Sequence, residues 1–191
     1  MEVIDLYQPC RADPNVPYEE TIGAIADLLR RAHRVYPVSA LEIEYSLACR
    51  FIEAEILPTA RELGVAVVPY RILADGLLTG AVTARSTAHY AVPRMEGANL
   101  EHNLKPTAAL KALAEVRGCA PAQLAVAWLL SRGEDIVPVL GMSRPERVAE
   151  NLQALTITLT ADELATLDSA FSPDAIIGDR YPAMVMKLAA R

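Results

Sequence analysis

A chain of 191 residues has room for one domain with a real core, or at most two small ones, and 52% apolar content points to a packed globular protein. A net charge of −6 without any basic run excludes a charge-driven nucleic-acid binder, and no stretch reaches the ~18 uncharged apolar residues of a spanning helix. The opening MEVIDLYQ carries two acids, unlike a signal peptide, and Cys10, Cys49 and Cys119 are too widely spaced for a disulfide framework or zinc knuckle, so a reducing cytoplasm is expected.

In chain order, residues 2–8 (EVIDLYQ) read as a buried strand, and Pro9, Pro14 and Pro17 break the next segment into a loop. Tyr18 to about Arg34 is amphipathic, with Ile22, Ile25, Ala26 and Leu29 on one face. Leu41–Leu47 reads as a second strand. Glu53–Leu63 reads as a helix that Pro58 kinks or starts late and Gly64 stops. Val65–Tyr70 has the near-continuous apolar character of a strand in a parallel, doubly covered sheet. Arg71 to about Lys105 reads as a long loop with a helical turn near Leu77, and loops of that length are usually functional or mobile. Helices are expected over Lys105–Arg117 and Pro121–Arg132, separated by Gly118, the second carrying Trp128 as a core residue. Thr160–Phe171 is a further helix opened by a Thr160/Glu163 capping box, and a short tail helix begins at Pro182.

The stretch 135–151, DIVPVLGMSRPERVAEN, reads as a strand, a tight turn at Gly141 and a capped helix. Ser143 suits the N-cap, Pro145 the first turn, and Glu146 completes a capping-box pattern. Exposed N–H groups at a helix start favour a phosphate or carboxylate. Arg144, Arg147 and Asn151, at i, i+3 and i+7, fall within roughly 60° of arc, so two cations and an amide face one way. Taken alone, the stretch also fits an ordinary capped helix with solvated arginines.

Strands alternating with helices argue for parallel β/α architecture, either an open doubly wound sheet or part of a (β/α)₈ barrel. No GxGxxG follows the first strand, which removes the usual dinucleotide fingerprint. Phosphate held after the last strand is the habit of the barrel.

EYSLACRFIEAEILPTARELGVAVVPY, then GLLTG, then PAQLAVAWLLSRGEDIVPVLGMSRPERVAENLQAL closely resemble the C-terminal half of aldo-keto reductases, and IDLYQPCRADPNVPYEETIGAIADLL resembles the family's fourth strand and following helix. The resemblance covers nearly the whole chain. It implies one partial domain over residues 1–191, an incomplete (β/α)₈ barrel of strands four, six, seven and eight with their helices. Upstream strands, and a fifth strand near Leu29–Arg31, have no counterpart in this sequence. A closed barrel usually needs at least about 200 residues, so the chain is not expected to close one alone.

The resemblance further implies NADP(H) binding and hydride transfer to aldehydes and ketones, using a tyrosine tuned by lysine and aspartate and helped by a histidine. The first three belong to the unmatched half. The histidine position, aligned through Arg11, Asp13 and Pro14, is Cys10, which offers a different donor. By the same resemblance Tyr70 stacks on the nicotinamide, the loop through Leu73 covers the pyrophosphate, and Glu42 stands where the family commonly has glutamine near the nicotinamide amide. Arg71 replaces a frequent serine and can pair with phosphate as a bidentate cation. Gly141, Ser143, Arg144, Arg147 and Asn151 match the adenosine-phosphate site, and arginine there favours NADP over NAD.

Other candidates have plainer readings. Cys10 lacks a nearby histidine for nucleophilic work, His33 reads as a surface residue, and His89 and His102 lack a paired ligand spacing for metal. Glu53 and Glu55 face apart on a helix, and neither Tyr45 nor Tyr70 has a Lys/Asp partner that sequence can place. The expectation is an NADP-dependent aldo-keto reductase relative, without carbonyl reductase activity in isolation. Alternatives are a non-catalytic NADP-binding or oligomerisation module, whose exposed strand edges would bind a second copy or a complementing chain, and a truncated inactive product.

Overall fold

A computed structural model describes residues 6–7, 18–83, 92–142 and 144–182. Its sheet has three parallel strands in sequence order, β1 (Leu6–Tyr7), β2 (Ala40–Glu44) and β3 (Ala66–Tyr70). Leu6 registers with Ala40, and Glu44 with Tyr70. Beyond β3, Ile136 bridges Val67 in parallel, and the N–H groups of Val137 and Val139 donate to the carbonyls of Val67 and Pro69 at 2.8 Å. The extended stretch after Asp135 therefore lies beside β3. Strand order never reverses among these segments, unlike a doubly wound sheet, where the order turns back at a switch point.

Six helices are described: α1 (Tyr18–Val35), α2 (Ile56–Glu62), α3 (Gly97–Arg117), α4 (Pro121–Leu130), α5 (Glu146–Leu152) and α6 (Ala161–Ala170). The apolar period of α1 puts Ala26 and Leu29 into the core. On the strands, Leu41, Ile43 and Val67 are buried, whereas Glu42, Ala66, Val68 and Tyr70 are half-buried. Successive side chains on a strand face opposite ways. The sheet is therefore covered fully on one face only, which corrects the expected double cover of β3.

Several expected boundaries move for local reasons. The second strand ends at Glu44, because Ser46 and Cys49 exchange backbone bonds of 3.1 and 3.0 Å and close a tight turn. Phe51–Glu53 forms a 3₁₀ turn and α2 starts only at Ile56, which places Pro58 in the first turn where its missing N–H costs nothing. The loop after β3 contains the expected turn, at Ala74–Thr79, but gives way to α3 at Gly97 instead of Lys105. Pro106 lies inside α3, and burial of Leu100 and Asn103 from the preceding turns holds that half helical. The Thr160 box forms as expected, with Glu163 N–H donating to Thr160 Oγ1 at 3.3 Å and Thr160 N–H to Glu163 Oε2 at 2.7 Å. The tail helix expected from Pro182 lies outside the described residues.

A polar network closes the core around the fully buried Trp128. Its indole N–H donates to Asp168 Oδ1 at 3.0 Å, and the guanidinium groups of Arg50 and Arg132 lie over its ring at 5.2 and 5.0 Å. Asp168 also pairs with Arg50 at 3.0 Å and Arg132 at 3.3 Å, while Glu53 accepts from Arg50 and, at 2.7 Å, from the Tyr45 hydroxyl. Burial first, and Glu53 second, raise the Tyr45 phenol above its usual value and make it a weaker acid than a free phenol.

Asp168→Ala strands the indole N–H and takes one carboxylate from Arg50 and Arg132, and is expected to lower unfolding free energy by about 2 kcal/mol in a urea titration. Asp162→Ala, in the exposed first turn of the same helix, is the control and should cost well under that.

Candidate functional site

Strand ends and the loops leaving them build one cavity of about 300 Å³. The loop after β3 contributes Leu73, Thr79 and Ala81, the start of α4 contributes Ala122, and the turn after the Ile136 stretch contributes Gly141, Met142 and Arg144. Arg147 and Asn151 enter from α5. The common face deduced from helical spacing is thus the wall of a cavity.

Local chemistry holds these walls. Thr79 Oγ1 donates to the Gly76 carbonyl at 2.7 Å and accepts from Ala81 N–H at 3.2 Å. Gly80 has φ +79°, and a Cβ there would stand 2.9 Å from Pro121 Cγ, so the loop presses directly on the start of α4. The buried Gln123 amide then ties α4 to α5: its Oε1 accepts from Ala120 N–H at 2.8 Å, and its Nε2 donates to the Glu150 carbonyl at 2.7 Å and to Gln153 Oε1 at 3.0 Å.

The helix start differs from expectation. Pro145, not Ser143, occupies the cap position of α5, and no side chain accepts a bond there. Ser143 itself lies outside the described residues. The Arg147 and Val148 N–H groups are spent on the carbonyls of Arg144 and Pro145, at 3.1 and 3.0 Å. Little free amide dipole remains, so the positive character of the cavity comes from side chains. Arg144 and Arg147 are exposed, and among the described residues Arg147 pairs with Glu150, at 3.3 Å, in a solvent-exposed contact that an anionic ligand can replace at little cost. Two guanidinium groups and an amide suit phosphate or carboxylate, while Leu73, Ala81, Ala122 and Met142 suit a flat apolar group.

Tyr70, Arg71 and Glu42 are not among the lining residues of that cavity. Tyr70, at the end of β3, has its hydroxyl 3.4 Å from that of Tyr181. Burial, then Tyr181, raises its phenol far above the usual value. Arg71 turns toward protein: it pairs with Asp75, approaches Glu44 Oε2 at 3.8 Å, donates to the Arg180 carbonyl at 3.2 Å and lies over the Tyr181 ring. Arg71, expected to pair with phosphate, thus has internal carboxylate partners in Asp75 and Glu44. Glu42 is half-buried on β2, in register with Val68. Arg71, Ala74 and Asp75 have φ of 51°, 48° and 54°, left-handed values that non-glycine residues adopt at a cost and that cluster at functional loops.

Cys10 and His89 lie outside the described residues. Cys49 is buried, and burial pushes its thiol up to about 12, so it is no nucleophile. His33 is half-buried, its Nδ1 accepting from Val38 N–H at 3.2 Å, where a surface residue was expected. His102 sits within α3. Among the described residues no group of three potential metal ligands converges, and no helix is long and apolar enough to cross a membrane.

Thr79, Ala81, Ala122 and Met142 carry no signal of their own in the sequence, although GLLTG flags the neighbourhood of the first two. Glu44, Arg180 and Tyr181 give no local signal at all, because they come together from distant positions.

Comparison with known proteins falls on the same segments. A model described as "Aldo/keto reductase family" matches residues 26–171. "Probable aldo-keto reductase 1" of Glycine max is 36% identical over 203 residues, covering 95% of this chain and 59% of its own length. A glycerol dehydrogenase structure from Gluconobacter oxydans superposes with TM-score 0.70 at 25% identity, over 91% of this chain and 61% of that one. A thermostable aldo-keto reductase solved with the inhibitor epalrestat shares the fold at TM-score 0.54 and 23% identity, over 88% of this chain and 60% of its own. The chain spans about three-fifths of the length of these relatives.

Proposed function

This chain belongs to the aldo/keto reductase family of oxidoreductases, and we propose that it binds an NADP-type dinucleotide, with the adenosine phosphate against Arg144, Arg147 and Asn151. The observation that carries the proposal is the cavity that joins these three side chains to Leu73 and Gly141. Its donors fit a phosphate and its apolar rim fits a purine. Ser143, next to Arg144 in sequence, is assigned to the same phosphate site by resemblance, and Tyr70 and Glu42 to the nicotinamide end.

We assign the strands to positions four, six, seven and eight of a (β/α)₈ barrel within a single partial domain. Unreversed strand order and one covered sheet face support that assignment. An internal shortening is supported by the match to the Glycine max protein, which runs over 203 aligned residues while covering 95% of the 191 in this chain. The bound cofactor would supply hydride for an aldehyde or ketone. With Cys10 at the family's histidine position and no counterpart for its tyrosine, lysine and aspartate, these 191 residues are proposed to bind cofactor without turnover. The setting we propose is cytoplasmic.

A second reading, assembly with another protein chain, rests on the uncovered sheet face. Val137 and Val139 are 55% and 50% exposed there, beside the half-buried Val68. Apolar strand surface of this kind invites pairing with a second copy or a complementing chain.

Calorimetric titration with NADP⁺ should give saturable binding that Arg147→Ala weakens about tenfold, the loss of one charge-assisted contact. Absence of binding by both proteins would sink the phosphate assignment. In the same preparation, NADPH with a reactive aldehyde should show no turnover above background, and clear turnover would overturn the binding-only reading. Light scattering at micromolar concentration should report a mass above 20.7 kDa, whereas a stable monomer would count against self-assembly through the sheet face.

A further inference from the structure

The nicotinamide end of the proposed site is already filled by the chain itself. We infer that Gly178–Tyr181 is a strap across the ends of β2 and β3, which admits a whole dinucleotide only after it lifts. This rests on the nucleotide reading above and adds to it an order of access.

The near end of the strap is fixed. Asn103, fully buried, donates through Nδ2 to the carbonyls of Arg94 and Ile177 at 2.9 and 2.8 Å, and its Oδ1 accepts from Ile177 N–H at 2.8 Å. At Gly178, φ is +88°, and a Cβ would stand 2.7 Å from Asn99 Nδ2 and 3.0 Å from the Arg94 backbone, so the chain passes where only glycine fits.

The far end is held by side chains. Arg180 Nη1 donates to Glu44 Oε2 at 3.1 Å, and its guanidinium lies over the Phe51 ring at 4.6 Å. Arg71 lies over the Tyr181 ring at 4.7 Å, and the hydroxyls of Tyr181 and Tyr70 are 3.4 Å apart. Glu44 is 2% exposed, so its carboxylate depends on these two guanidinium groups for compensation. Burial of one acid thus favours the closed strap.

None of Gly178, Asp179, Arg180 or Tyr181 lines the cavity of Arg144 and Arg147. The phosphate end stands open while the ring end is covered. An adenosine phosphate fragment can therefore bind without moving the strap, whereas the nicotinamide half has to displace Tyr181. A site whose competent state is populated about one-tenth of the time shows an apparent affinity about tenfold weaker than its intrinsic one.

The test is calorimetry with 2′,5′-ADP and NADP⁺ on the wild type, on Tyr181→Ala, and on the double variant Glu44→Gln/Arg180→Gln, which removes the tether without leaving a lone buried charge. Far-UV circular dichroism checks that each variant folds. Wild type should bind the two ligands within about twofold of each other, and both variants should bind NADP⁺ about tenfold tighter with 2′,5′-ADP unchanged. If Tyr181→Ala does not fold, the double variant decides on the same ratio. NADP⁺ already tenfold tighter than 2′,5′-ADP in the wild type, or a ratio unmoved by the variants, overturns the strap and leaves the phosphate site standing. Failure of 2′,5′-ADP to bind any form overturns both.

Discussion

Asp168 and Glu53 hold the packing of this chain together because each collects partners from elements far apart in sequence. Asp168, on α6, takes the indole N–H of Trp128 on α4 and the guanidinium of Arg50 just beyond β2. Glu53, in the following turn, takes Arg50 and the Tyr45 hydroxyl. Trp128 and Tyr45 are both buried, with ring centroids 5.7 Å apart, so neither polar tip could be desolvated without these acceptors. With α4 fixed against the end of β2, Gln123 on the same helix can set the position of α5, and hence of Arg147 and Asn151. Core and cavity share one helix as their reference.

The one-sided covering of the sheet divides the chemistry of the strands. Residues facing the helices are apolar and sealed, while the opposite face carries Glu42, Glu44 and Tyr70. Glu44 alone of the two acids is deeply buried, and the reason is local: Arg180 and Arg71 cover it. Charge at the strand ends is therefore satisfied within the protein, whereas charge at the turn before α5 remains directed to solvent.

Periodicity and capping are legible where the determinants are close in sequence. The face shared by Arg144, Arg147 and Asn151, the Thr160/Glu163 cap and the burial of Trp128 all derive from spacing or composition. Resemblance of motifs carries the family. Boundaries fail where one residue type has two meanings: Pro106 reads as part of a helix start, and it lies mid-helix because tertiary burial of Leu100 and Asn103 outweighs its local cost. Ser143 reads as a cap, yet the helix starts after Pro145. Left-handed backbone at Arg71 and Ala74 has no sequence signature because neither is glycine, asparagine or aspartate, whereas Asp75 is of a type that tolerates it. The contact of Glu44 with Arg180 spans 136 positions, beyond the reach of any local pattern.

Pro106 also gives α3 a mechanical division. Lacking an N–H for the carbonyl of His102, it interrupts the hydrogen-bond ladder of a 21-residue helix. The half before it carries Asn99 and Asn103, which grip the Pro93–Met95 turn and Ile177; the half after it buries Leu110 and Ala114 in the core. The two halves are therefore held to one another at that point by side-chain packing, with Leu100 of the first half in the same apolar core as Leu110 and Ala114 of the second.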